Sequence, residues 1–378
     1  MSLPPHQLIT TPAEWQTCFD QLLGEPRLAL DLEANSMYAY QESVCLIQIS
    51  IPTQDFIIDP LPLTDLDLSG LGKLLADPAV EKVFHAAEYD LILLKRNYDW
   101  PVFNLFDTMW AARILGYPKY GLANMLKALY GVNLNKRYQR ANWCKRPLSS
   151  AHLTYAQHDT HFLLNLREHL LTELESRGRL AEAYETFAEQ TQVDLPDHSF
   201  SPDDFWSING ATDLNRKQQA ILRELAIFRD QEAQRRDQPH FKVFGDRTLL
   251  ELAQRTPHQT TQMQPIYGMS ERQIRRYGRR LLQTIERGRQ AAPPTYKRTP
   301  RPPEEVLDRF ERLHHWRKMR ARARGVESDV IVSRNAIWEI AKQNPDSPEA
   351  LADLGVLGKW RHQEYGAELL SVLREASS

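Results

Sequence analysis

Long hydrophobic runs are missing from this chain of 378 residues. Its apolar stretches are strand-sized, which excludes a transmembrane helix. The amino terminus carries Pro4 and Pro5 but no apolar stretch of the kind a signal peptide needs, so export is not expected. Cysteine is scarce. Cys18, Cys45 and Cys144 are odd in number and far apart. They form neither a disulfide framework nor a zinc pattern, which suits a reducing compartment and places the protein in the cytoplasm. What is present is ordinary for a globular protein, with 42% apolar and 25% charged residues. The length asks for two or three domains.

The net charge of −2 hides an uneven distribution. Residues 1–170 hold 14 Lys+Arg against 18 Asp+Glu, and residues 171–270 hold 11 against 16. Residues 271–324 hold 17 against 6, an excess of +11 that is mostly arginine. A basic block of that size suits a polyanionic partner, and it equally suits a solvated helix face with a linker.

Residues 1–170 read as α/β. Strand patterns fall at Leu28–Leu32, Val44–Ser50, Phe56–Asp59 and Lys82–His85, and helical periods at Leu68–Leu75, Glu88–Asn97, Thr108–Leu115 and Leu122–Leu129. The first three strands have short connections, which predicts antiparallel hairpins. Strand–helix alternation follows, so the expected core is a mixed sheet flanked by helices. One long helix is predicted to begin near Pro147-Leu148-Ser149, with Ser149 or Ser150 as its N-cap, and to run as far as Gly178.

Residues 191–210, rich in Asp, Pro and Ser, read as a linker, and beyond it the pattern is helical. An internal repeat lies there. Thr248–Ala253 matches Ala336–Ala341, Tyr277-Gly278 matches Tyr365-Gly366, and Leu281-Leu282 matches Leu369-Leu370, all at one offset. Two copies of one small helical domain explain this, joined by a proline-rich stretch at 291–303. The expected organisation is therefore a catalytic domain over 1–190, the linker 191–210, helical domains over 211–290 and 304–378, and the second linker between them.

The chemistry is carried by acids. Asp31 and Glu33 are i and i+2 on a strand, so both carboxylates face one spot. Repulsion between them is most simply offset by a cation, and carboxylate oxygens are what magnesium and manganese prefer. A lone D-x-E is more often a strand running into a solvated turn. Here it is followed by His85-Ala86-Ala87-Glu88-Tyr89-Asp90, where Asp90 enters the first turn of a helix, and by Tyr155-Ala156-Gln157-His158-Asp159, where Tyr155 and Asp159 share a helix face.

In this order and within one domain, these motifs resemble the proofreading-type 3′–5′ exonucleases that use three aspartates, one glutamate and a tyrosine. Within them the chain is similar to ribonuclease D and to the nuclear-exosome-associated exonuclease. The resemblance covers roughly residues 25–175 and extends through Cys45–Ser50, Asn104–Thr108 and Trp143–Leu148. The two helical repeats resemble the helicase-and-RNase-D C-terminal (HRDC) domain. Leu32 and Ala34 stand where many bacterial members carry Thr and Phe, and Thr154 stands where a histidine-type member carries His.

The resemblance implies an RNase H-like (DnaQ-type) exonuclease fold followed by two all-α domains. It implies two divalent cations, magnesium or manganese, on Asp31, Glu33, Asp90 and Asp159, with Tyr155 orienting the attacking water. It implies a hydrolase that removes 5′-mononucleotides from RNA 3′ ends, of tRNA precursors or other structured RNA. No membrane partner is expected, and a monomer is. Asn35, His85, Lys136, Gln139, Trp143 and Arg146 are candidates for holding the terminal nucleotides, and Arg275, Arg276, Arg279 and Arg280 for phosphate contacts. For Trp143 and Arg146, roles as a core tryptophan and a helix-end ion pair are equally expected. Two alternatives stay open: a DNA 3′–5′ exonuclease acting in repair, and a non-catalytic nucleic-acid-binding protein.

Overall fold

The computed structural model describes residues 3–63, 67–195, 197, 199–296 and 300–375. It divides into two compact units, one of residues 1–34, 44–195 and 301–378, the other of residues 35–43 and 196–300.

The first unit is built on six strands: β1 (Gln7–Ile9), β2 (Arg27–Ala34), β3 (Val44–Ile51), β4 (Gln54–Ile58), β5 (Glu81–Phe84) and β6 (Leu105–Asp107). Their order across the sheet is β1-β4-β3-β2-β5-β6. The β2–β3 and β3–β4 pairs are antiparallel, as the short connections predict, and the β2–β5, β5–β6 and β1–β4 pairs are parallel. The sheet is therefore mixed. Strand β2 is central, and alternation sends Leu28, Leu30 and Leu32 to the face opposite Asp31 and Glu33. Register places Asp31 against Gln48 and Glu33 against Leu46, and the pairing slips between Glu33 and Ala34. The two shortest strands, β1 and β6, gave no separate strand signal at three residues each.

The helices of this part are α1 (Pro12–Leu22), α2 (Ser69–Leu75), α3 (Glu88–Tyr98), α4 (Thr108–Ile114), α5 (Leu122–Tyr130), α6 (Ser150–His161), α7 (Leu163–Ser176) and α8 (Leu180–Gln190). The single long helix expected after Ser149 is in fact two. Phe162 separates them at φ −96° and ψ −3°. The two halves have different duties. In α7, Leu163, Leu166, Leu170 and Leu174 are fully buried at helical spacing, whereas α6 presents polar groups to the sheet. Asp55 of β4 accepts from Ser50 Oγ (2.6 Å) and Gln157 Nε2 (2.6 Å), and lies 2.8 Å from His161 Nδ1. Ser50 Oγ in turn accepts from the Thr160 hydroxyl, 2.7 Å away. These bonds fix α6 across β3 and β4. Ser149 caps it, as expected, by accepting from the His152 amide.

The second helical copy belongs to this same unit: α13 (Glu304–Arg324), α14 (Ser328–Ile331), α15 (Arg334–Gln343), α16 (Pro348–Asp353) and α17 (Lys359–Arg374). It is docked by charge. Arg324 forms two bonds to the fully buried Glu182 of α8, and Arg113 of α4 meets Glu327 and Asp329. Arg361 reaches Glu185, Thr186 and Glu189 of α8.

The second unit holds α9 (Arg216–Arg235), α10 (His240–Val243), α11 (Asp246–Arg255) and α12 (Glu271–Gln290) around Leu222, Leu225, Leu249, Leu252 and Leu281. The loop 35–43 is part of it. Tyr40 donates through its hydroxyl to Asp230 (2.6 Å), and through its amide to Asp237 (2.9 Å). The proline-rich stretch includes residues 297–299, which lie outside the described residues.

One expectation is overturned. Cys45 and Cys144, 99 positions apart, are joined by a disulfide with Cα atoms 5.0 Å apart, and only Cys18 is a free thiol. Cys45 sits on β3 and Cys144 on the chain that crosses it, a proximity that sequence spacing does not carry.

Candidate metal centre and nucleotide pocket

Three of the four predicted acids converge. Ligand oxygens of Asp31, Glu33 and Asp159 lie within 4.8 Å of one another. Strand alternation supplies the first two, and α6, clamped by Asp55, supplies the third. Asp90 is brought in by the turn that ends β5. It is 6% exposed and close enough to Asp31 and Asp159 for their charges to act on it. Burial raises the Asp31 pKa to about 7. Burial, and then the neighbouring carboxylates, hold Glu33, Asp90 and Asp159 well above the ordinary carboxylate range. The donor set is all hard oxygen, half-buried and mutually repelling, and a divalent cation fits it.

The approach of Asp90 depends on a fifth acid. Asp107 was visible only as part of the Asn104–Thr108 motif. It is fully buried and accepts from the amides of Ala86 (3.1 Å), Ala87 (2.8 Å), Met109 (2.8 Å) and Trp110 (3.2 Å). It thus caps α4 and holds the start of α3 at once. Ala86 adopts φ +65° in this turn. A side chain there costs about 1–2 kcal/mol, partly offset by the freedom glycine adds to the unfolded chain, about 0.4–1 kcal/mol. Ala86→Gly is therefore expected to stabilise the fold by up to about 1 kcal/mol. Denaturant unfolding checks the sign, since a substitution to glycine elsewhere in an ordered segment would lower the midpoint.

Tyr155 lies beside Asp159, close enough for the two to act on one another, and burial followed by the surrounding carboxylates keeps its phenol protonated far above neutral pH. Beside the pair opens a cavity of about 380 Å³, walled by Asn133, Asn135, Tyr138 and Thr154 and reaching Tyr155 and Asp159. Tyr138 stands edge-on to Tyr155 at 6.0 Å. The asparagines carried no sequence signal, because loop residues have no period; Thr154, on α6, is the position where a histidine-type member carries His.

Several predicted nucleotide contacts have other partners. Trp143 is 1% exposed and packs against Tyr155 at 5.7 Å, so its face is closed to a base and it is a core tryptophan. Arg146 is spent on Asp59, the Cys45 carbonyl (2.8 Å) and the carbonyl of Trp143, so it ties the 143–147 chain to the sheet. Asn35 receives the Ser43 amide (2.7 Å) and closes the neck of the 35–43 loop. His85 meets Thr108 Oγ1 at 2.9 Å, and burial lowers its pKa to about 4, so it is neutral. Gln139 is exposed, and the Lys136 side chain lies outside the described residues. In the second unit, Arg280 pairs with Glu232 at 2.5 Å and Arg276 lies over the Tyr277 ring, while Arg275 and Arg279 are exposed on α12.

A mixed sheet whose central strand offers D-x-E, with acids arriving from a strand end and from a crossing helix, defines a 3′–5′ exonuclease domain. The family profile described as 3′–5′ exonuclease matches residues 6–175, and the HRDC domain profile matches 218–285 and 306–373. The chain belongs to the ribonuclease D family. It is 32% identical over 270 residues to ribonuclease D of Gluconacetobacter diazotrophicus, covering 71% of this chain and 67% of that protein. It is 34% identical over 261 residues to exosome complex component 10 of Mus musculus, covering 67% of this chain and 29% of that longer protein. The crystal structure of the catalytic core of RRP6 from Trypanosoma brucei superposes with a TM-score of 0.69 at 29% identity, covering 76% of this chain and 81% of that one. Among the described residues no helix is long and apolar enough to cross a membrane.

Proposed function

We propose that this chain is a 3′–5′ exoribonuclease that releases nucleoside 5′-monophosphates from RNA 3′ ends, with two divalent cations, magnesium or manganese. The observation that carries this reading is the convergence of Asp31, Glu33 and Asp159 within 4.8 Å, with Tyr155 beside Asp159. Asp31, Glu33, Asp90 and Asp159 would hold the cations. When bound, such ions activate water and stabilise charge on the phosphate. The remaining work falls to the protein. Tyr155 stays a phenol, so it orients the attacking water by hydrogen bonding rather than removing its proton. His85 is neutral and adds no positive charge near Asp90. The pocket beside Tyr155 offers amide and hydroxyl groups together with the Tyr138 ring, which suits a base and ribose more than a further phosphate. Arg275 and Arg279 are the exposed cations of α12 best suited to backbone phosphates. We take the substrates to be tRNA precursors or other structured RNA, and the protein to act as a cytoplasmic monomer.

The test is to offer 5′-labelled RNA and DNA of one sequence with either metal. A one-nucleotide ladder on RNA is expected, and a stronger ladder on DNA would overturn the RNA assignment. Tyr155→Phe removes one hydroxyl and should slow turnover by about tenfold to a thousandfold. An unchanged rate would make Tyr155 a packing residue.

A further inference from the structure

Strand β3 is buried along its whole length, yet it contains a glutamine. Gln48 is 0% exposed, and neither atom of its carboxamide has a hydrogen-bonding partner among the described residues. Leaving a buried amide group unpaired costs about 1–3 kcal/mol, so a residue of this kind is not a neutral filler. Its neighbour Ser50, one step along the same face, is fully satisfied by Asp55 and Thr160. The unpaired amide is thus particular to Gln48.

Register says where that amide is. Gln48 stands directly opposite Asp31 on β2 and opposite Ile57 on β4. Directly opposed residues of an antiparallel pair share a face, with Cβ atoms about 4.5–5.5 Å apart. Gln48 therefore shares a face with Asp31 and Glu33. The face is roofed by α6: Leu46 packs with Ala156 and Tyr155, and Ser50 bonds Thr160. Gln48 lies between Leu46 and Ser50, under the stretch of α6 that carries Asp159. Ile57, its other neighbour, offers no polar group. The carboxylate directly across is Asp31, which itself receives no hydrogen bond from the described residues. A donor without an acceptor faces an acceptor without a donor.

We propose that Gln48 is a positioning residue for Asp31. Its carboxamide Nε2 donates to the Asp31 carboxylate when that group is ionised on a bound cation, holding one oxygen so that the other is presented to the ion. Groups that orient metal ligands in this way typically govern metal affinity by about 10- to 100-fold. The proposal rests on the reading of Asp31 as a ligand, and the experiment separates the two.

Gln48→Met and Gln48→Leu keep the volume and remove both polar atoms. Full-length variants would be titrated with Mn2+, following free Mn2+ by electron paramagnetic resonance, and melted in chelator. Unchanged or raised melting in chelator is expected, because two unpaired buried polar groups are gone, together with a Mn2+ affinity about 10- to 100-fold weaker. A folded variant that binds Mn2+ within twofold of the wild type overturns the proposal. So does failure of both variants to fold, which would assign Gln48 to the core. Asp31→Asn is the control. If it binds Mn2+ as the wild type does, the metal-site reading itself fails. If it loses Mn2+ while Gln48→Met keeps it, only the role of Gln48 fails.

Discussion

Asp31→Asn should lose at least about a thousandfold in turnover and at the same time melt higher than the wild type in chelator. The two effects share one cause. Asp31 is half-buried beside Glu33 and Asp159, with ligand oxygens gathered within 4.8 Å. That arrangement suits a cation, and without one it is a liability for the fold. The sign follows from the protons. In the metal-free protein the Asp31 pKa is raised to about 7, against the ordinary value near 3.8. Between those values the folded state holds a proton that the unfolded state has released. Stability is thus present at the acid end of the window and falls as pH rises through it. Asparagine does not titrate, so the variant escapes the loss. Melting curves in chelator should differ little at pH 4 and diverge by a few degrees at pH 7.5, with the variant higher. Cleavage near the wild-type rate in magnesium would remove Asp31 from the site. Equal melting at both pH values would mean that the acids do not strain one another.

What the sequence showed and what it hid divide along a physical line. The convergence of Asp31, Glu33 and Asp159, with Tyr155 beside them, was legible because local geometry, i+2 on a strand and i+4 on a helix, sets their shared faces. The antiparallel β2–β3–β4 order was legible from short connections. Pairings between distant residues were not. Cys45 and Cys144 meet across 99 positions, and Arg146 finds Asp59 across 87. No period or propensity records either contact. Trp143 and Arg146 read equally well as nucleotide contacts or as structural residues, and only burial and partners decided between them. Phe162 breaks the expected long helix inside an unbroken helical pattern, because α6 must answer to Asp55 and Ser50 while α7 answers to an apolar core. Gln48 sat in plain view in a quoted motif. Its meaning appears only when register sets it against Asp31.

The proline-rich stretch was expected to join the two helical repeats, and the contacts of Arg361 show in addition how the second is fastened to α8. Arg361 is 5% exposed. Its guanidinium donates to Glu185 (3.1 Å), Glu189 (3.1 Å), Thr186 (2.9 Å) and the Ile331 carbonyl (3.1 Å). Glu185 also receives the backbone amides of Trp360 and Arg361. One arginine thus fastens α17 to α8 and to the end of α14. Removing it leaves Glu185 largely buried without its cation. Breaking a buried pair from one side costs about 3–5 kcal/mol, most of it the penalty on the charge left behind. Arg361→Ala should therefore lower the melting temperature of this unit by about 5 °C or more. Arg361→Lys should recover little, since an ammonium cannot span Glu185, Thr186 and Ile331 with one planar fork. Arg275→Ala, an exposed arginine on α12, should stay within about 0.5 kcal/mol of the wild type and so controls for lost charge alone. Calorimetry of the three full-length variants decides the matter. A cost below about 1 kcal/mol for Arg361→Ala would mean that Glu185 and Glu189 are hydrated and that apolar packing, not this ion pair, joins the repeat to α8.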